Sequence, residues 1–227
     1  GDYGGIRIGI DVTSKSQAQA KYSNMIVTSS TPYLWINAAE VAFLKAEYEL
    51  RWGTKDAAKA LYEQAIRLSF EDKGAKDADA YIADKTRKPA AYNDPLGNYS
   101  ATALSSITIA WEDDSAEGAD KAAIKERNLE RIITQKWIAI FPLGVEAWSE
   151  HRRTGYPRLL PAVEDKSGGT VDLAQGARRL PYPVEEYDKN NANLQDAVQM
   201  LNSESQGSRK GDGMGTRVWW DVKPYNN

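Results

Sequence analysis

The stretch that decides the fold is Tyr33 to Phe70, "YLWINAAEVAFLKAEYELRWGTKDAAKALYEQAIRLSF". Leu34, Ala38, Val41, Ala42 and Lys45 recur at helical spacing, and Leu44, Tyr48 and Trp52 continue a neighbouring stripe. This predicts a helix over 33–52, with the preceding "SSTP" as its entry and Gly53 as its stop. A second helix starts at Thr54 or Asp56. Its apolar face is Ala58, Leu61, Tyr62, Ala65, Ile66 and Leu68. Two helices joined by a short glycine turn make an αα-hairpin.

The spacing within the hairpin is more specific than that. Ala58, Tyr62 and Ala65 reproduce the small–aromatic–small pattern of the second helix of a tetratricopeptide repeat, and Ala46 takes the small-residue position of the first. Such a unit cannot bury its own face alone, so stacked helix pairs are expected. From Asp120, "DKAAIKERNLERIITQKWIAIF" supplies another helix, with Leu129, Ile133, Trp137, Ile140 and Phe141 on one face and Ile132 beside them. Pro142 and Gly144 break it, and "GVEAWSEHRRTG" makes a short helix closed by Gly155.

The fold class predicted is mostly α: tetratricopeptide-like hairpins at about 33–70 and 120–154, with irregular loops at 71–118 and 155–227. "KDADAYIAD" in the first loop region is a short helix, and "NNANLQDAVQML" in the second is another. The tail ends on Trp219 and Trp220, of which an extended strand would bury one.

Composition narrows the function. The formal net charge is -3, without the basic excess of a nucleic-acid binder. No apolar run approaches the roughly 18 residues that span a bilayer. The opening "GDYGGIRIGIDVTSKS" reads as the middle of a longer chain. With no cysteine and one histidine, thiolate and histidine-rich metal sites are excluded within the segment. There are 7 Trp and 12 Tyr against 3 Phe, a bias toward rings that combine a flat apolar face with a polar edge. That mixture suits sugars as well as wet packing between helices.

The histidine, His151, lies between Glu150 and the pair Arg152–Arg153. A general base needs a nucleophile and an orienting partner, and no nucleophile motif accompanies it. Cations in the last turn of a helix instead meet the negative end of its dipole. Arg152 or Arg153 is expected to clamp an upstream acid such as Glu40, which sits on an otherwise apolar helix. Arg178 and Arg179 read as ion pairs or a solvated turn, and Glu112 to Asp114 as an acidic loop without calcium-ligand spacing.

Three segments together resemble one family. "INAAEVAFLKAEYELRWG", "IITQKWIAIFPLGVEAWSEHRRTGYPRL" and "RRLPYPVEEYDKNNANLQDAV" followed by "VWWD" are similar, in order and spacing, to the SusD/RagB nutrient-binding outer-membrane lipoproteins. Glu40, Trp137, Trp148, Arg152 and Arg153 are the structural signature within them. The resemblance implies the C-terminal part of a single SusD-like domain, 1–227, with an α-superhelical fold. It implies a non-catalytic role without cofactor or metal. Glycans or other nutrients would be captured at the cell surface and delivered to a SusC-type TonB-dependent transporter. Attachment to the outer membrane would be through an N-terminal lipid anchor absent from this chain. No nucleic acid is expected as partner. Aromatic residues in irregular segments, Tyr3, Tyr92, Tyr99 and Trp111, are the candidate ligand contacts. The alternatives are a tetratricopeptide scaffold for protein partners and a helical glycosidase, which would need two carboxyl groups flanking a cleft.

Overall fold

Four helices begin on a side chain that accepts a hydrogen bond from the backbone three residues on: Ser14, Asn37, Thr54 and Asp120. The computed structural model describes residues 4–204 and 211–221. Among these the chain is helical: α1 (Lys15–Lys21), α2 (Ala38–Trp52), α3 (Lys55–Asp72), α4 (Ala78–Ile82), α5 (Lys121–Ala139), α6 (Gly144–Thr154), α7 (Val184–Lys189) and α8 (Asn191–Glu204). The only β pairing among the described residues is two isolated bridges, Tyr92 with Ala101 and Asp172 with Gly176. The chain divides into two compact units. One comprises Val27–Ala90 and Ala103–Arg158, the other Gly1–Ile26, Ala91–Thr102 and Leu159–Asn227.

The first unit is built on the α2–α3 hairpin. Ala46, Ala58, Tyr62 and Ala65 are all completely buried, so the repeat-like spacing does mark the contact. Small side chains let the helices approach, and the Tyr62 hydroxyl reaches past them to donate to the Ile109 carbonyl at 2.7 Å. This contact corrects the predicted face of α2. Its buried stripe is Ala39, Ala42, Phe43, Ala46 and Leu50, whereas Val41, Leu44, Tyr48 and Trp52 face outward and Lys45 is exposed. The buried face keeps alanines at the points of closest approach, with the Phe43 ring meeting that of Tyr62 beside them. The outward Tyr48 and Trp52 rings, 5.4 Å apart, pack on each other.

The start of α2 also differs from the expectation. Asn37 caps Glu40 N at 2.7 Å and donates its amide to the Ala139 carbonyl at 3.1 Å, so residues 33–37 stand outside the helix. Gly53 does end α2, but not in the left-handed conformation of a C′ glycine (φ -107). A Cβ there would lie 3.0 Å from the Glu49 Cα.

On α5 the buried residues include Leu129, Ile132, Ile133 and Lys136, while Trp137 and, just beyond the helix, Phe141 are part-exposed and exposed. Lys136 takes the inward position because three carboxylates surround it: Glu146 at 3.1 Å, Glu150 at 3.5 Å and Glu40 at 3.7 Å. The partner of Glu40 is therefore this lysine rather than an arginine of α6. The expected arginine clamp exists about two turns further along α2. Arg153 donates to both oxygens of Glu47, at 2.7 and 2.6 Å, and to both of Glu150, at 3.1 and 2.7 Å. Arg51 adds a 2.7 Å bond to Glu47. Arg152 stacks its guanidinium 3.7 Å above the Trp148 ring. His151 is buried and donates from Nδ1 to the Pro157 carbonyl at 3.0 Å, tying the helix end to the turn beyond left-handed Gly155.

In the second unit the organising group is buried Asp94. It accepts from the Tyr22 hydroxyl at 2.7 Å and from the backbone of Asn98 and Tyr99 at 3.0 and 3.1 Å. Arg178 forms a bidentate pair with Asp221, both fully buried, and Arg179 pairs with Asp212 while stacking on Tyr182. The ion-pair reading of these arginines holds. Two short helices, α1 and α7, were not expected. Neither buries a residue, so neither carries an apolar period. Trp219 and Trp220 sit in a turn, 72% and 37% exposed, so neither is buried as a strand would require.

Arg153→Met leaves Glu47 and Glu150 buried without their shared cation and should destabilise the fold by about 3 kcal/mol, read as a lowered midpoint of chemical denaturation. The acids also differ in the sign of their pH dependence. Burial pushes the Glu47 carboxyl up, but Arg153 and Arg51 outweigh it and hold the group below its ordinary 4.5. Its contribution is present above that value and lost as pH falls through the folded one. Burial raises Glu40 despite Lys136, so its contribution is full at acid pH and lost as pH rises. Thermal melts should show wild type losing its advantage over Glu47→Gln on acidification, and Glu40→Gln gaining on wild type as pH rises.

Candidate functional site

The loop that carries Trp111 is fastened to α3 and α5. Asn128 brackets Glu112, accepting from its backbone N–H at 3.1 Å and donating to its carbonyl at 2.9 Å. Arg131 donates to the Thr108 carbonyl at 3.0 Å. The Trp111 ring packs 5.5 Å from the Tyr62 ring and is half-buried. Its outer side forms part of a cleft of about 530 Å³, with Leu50 and Ile124 also in the wall and Lys55, Lys59, Lys121 and Lys125 around it. That volume lies within the range of small-molecule sites. Glu112 takes Arg127 at 2.8 Å and Arg131 at 3.1 Å, and these bonds, Arg127's first, hold its carboxyl below the ordinary carboxylate value against burial. Lys55 pairs with Asp114. Among the described residues, no cluster of His, Cys, Asp or Glu is arranged to hold a metal ion.

A second concavity, of about 410 Å³, lies beside the entry to α2 and is lined by Tyr33, Trp35, Pro142, Leu143 and Val145, among others. Tyr33 and Trp35 are 75% and 83% exposed, and their rings meet edge-on with centroids 5.6 Å apart. This pair was missed in the sequence because helical periodicity absorbed it. The signal that finds it is Asn37, a strong cap four residues after Tyr33, which puts both rings ahead of the helix.

The other candidates are placed as follows. Tyr92 and Tyr99 lie on the 91–102 loop, both half-buried. The Tyr92 hydroxyl donates to the Gly5 carbonyl at 2.9 Å, and Arg7 donates to the Tyr99 carbonyl at 3.0 Å. Both residues therefore also fasten their own loop. They belong to one compact unit and Trp111 to the other. Tyr3 lies outside the described residues. Of the signature residues, Glu40 is buried, Trp148 and Arg152 stack together, Arg153 joins α6 to α2, and Trp137 is at the surface.

Over residues 1–221 the chain matches the SusD-like family, described as Susd and RagB outer membrane lipoprotein. No curated protein matches it. Among solved structures, a SusD homologue from Bacteroides thetaiotaomicron is 48% identical over 98% of this chain and 45% of that one, with a TM-score of 0.85. A SusD homologue from Bacteroides uniformis is 49% identical over 89% of this chain and 40% of that one, with a TM-score of 0.76. A chitin-binding SusD homologue from Flavobacterium johnsoniae is 39% identical over 100% of this chain and 44% of that one, with a TM-score of 0.79. The chain thus spans less than half the length of these relatives. With the family matched over nearly all of its residues and the helical fold shared, this chain belongs to the SusD-like family.

Proposed function

We propose that the protein binds glycan at the outer surface of the cell, without catalysis, and passes it to a SusC-type TonB-dependent transporter. The observation that carries the reading is the likeness, over the whole chain, to a chitin-binding homologue. The family's description as outer membrane lipoprotein supports the location and a lipid anchor. The exposed Tyr33–Trp35 pair supports the ligand class, since an open aromatic face suits the C–H face of a pyranose. Trp111, Tyr92 and Tyr99 are further proposed contacts. One observation favours a protein partner in addition: Val41, Leu44, Tyr48 and Trp52 form an outward apolar stripe on α2. A transporter or another helix pair would suit it.

Titration of the full chain with chitotetraose tests the reading. Binding without release of shorter products is expected, and Trp35→Ala should weaken it about tenfold. Its exposed position should leave the melting temperature unchanged. Hydrolysis of the tetrasaccharide would overturn the non-catalytic assignment. Equal binding by wild type and Trp35→Ala would remove the aromatic pair from the site.

A further inference from the structure

The cleft beside Trp111 has a charge pattern that the neutral-glycan reading does not use. Its carboxylates are mostly committed: Glu112 to Arg127 and Arg131, Asp114 to Lys55, and Asp113 to the Ser115 backbone at 2.6 Å. Asp113 is held below the ordinary carboxylate value, first by Ser115 and also by the fields of Lys59 and Lys55. Asp56, in the first turn of α3, is the acid of the lining that holds no cation. The ammonium groups are less committed. Lys125 donates only to the Arg51 carbonyl, at 3.3 Å. Lys59 and Lys121 hold no ion pair or side-chain hydrogen bond among the described residues.

What the cleft can still offer a ligand is an indole wall and the ammonium groups of Lys59, Lys121 and Lys125, against the one uncommitted carboxylate of Asp56. An indole takes the apolar face of a sugar ring, and an uncommitted ammonium takes an anionic oxygen. We propose that the Trp111 cleft is a subsite for a saccharide unit bearing a carboxylate or a sulfate, with Lys59 and Lys121 as its charge-reading residues. This deepens the glycan-capture reading and rests on it.

Isothermal titration of the full chain compares four probes in two pairs: N-acetylated chitotetraose with a hyaluronan tetrasaccharide that alternates N-acetylglucosamine with glucuronate, and N-acetylglucosamine with its 6-sulfated form. An anionic probe should bind about tenfold more tightly than its neutral counterpart, with an advantage that shrinks in high salt. The tetrasaccharide and sulfated arms show which anion is read. Lys59→Gln with Lys121→Gln should abolish the advantage and leave chitotetraose binding as it was. Both lysines are exposed, so the double variant keeps the fold. Trp111→Phe, which retains a ring against Tyr62, should weaken the anionic probes. Binding of chitotetraose with no preference for either anionic probe overturns the subsite while glycan capture stands. A preference that survives the double lysine variant overturns the assignment to this cleft. Binding of no saccharide at all overturns both readings.

Discussion

The close approach of α2 and α3 at Ala46, Ala58 and Ala65 is the constraint on which the rest of the first unit depends. An alanine seam brings two backbones together at a few points, and larger side chains pack around those points, with the Phe43 ring meeting that of Tyr62 at 6.3 Å across the contact. Phe43 and Leu50 lie on the same buried face as the alanines, and Val41, Leu44, Tyr48 and Trp52 are exposed. The same narrow contact lets Tyr62 lie fully buried and still satisfy its hydroxyl on a loop carbonyl. That bond helps to set where residues 108–112 run, and so where Trp111 stands. A choice of three small residues thus propagates through packing to the geometry of a cleft.

Charge completes what the alanines begin. Glu40 and Glu47 ride on the buried face of α2, Lys136 on that of α5, and Glu150 and Arg153 on α6. Burying such groups is not in itself stabilising, since desolvation offsets most of the attraction. Their effect is directional. A leucine in place of Glu47 could pack at several rotations of α6, whereas a carboxylate that must meet a fork of N–H donors fixes one. The chain of contacts Arg51–Glu47–Arg153–Glu150–Lys136–Glu40 therefore sets the register of three helices against one another, and apolar burial supplies most of the stability.

How much of this is legible in the sequence follows from the same physics. The α2–α3 hairpin is readable because small–aromatic–small spacing is a steric requirement of close packing. The face of α2 is not, because hydrophobicity ranks Leu44 above Ala46, whereas position 46 must be small for α3 to approach. Likewise α5 hides its buried lysine: a charged residue at an apolar position reads as solvent-facing until its three carboxylates are known. The arginine clamp was foreseeable as chemistry and wrong in its partner, Glu40 for Glu47, since both acids lie on the same stripe of α2 and only the reach of α6 distinguishes them. Helices α1 and α7 bury nothing and so leave no periodic trace.

The candidate binding surfaces show the same division. Trp111 was readable as an aromatic in an irregular segment. Tyr33 and Trp35 were not, because their neighbours continue the helical pattern and only the cap at Asn37 ends it. Binding residues of this kind escape periodicity by necessity: a ring that a ligand is to cover cannot also be packed in a core. Its backbone must nevertheless be held, or the ring's rotational freedom opposes binding. Here the holding is visible on the C-terminal side of the pair, and a local turn precedes it. The Thr28–Thr31 turn, closed by bonds of 2.9 and 3.1 Å, precedes it, and the Asn37 side chain, bonded to both α2 and the end of α5, follows it. Exposed rings whose backbone is held at Asn37 are what the proposed glycan contact requires.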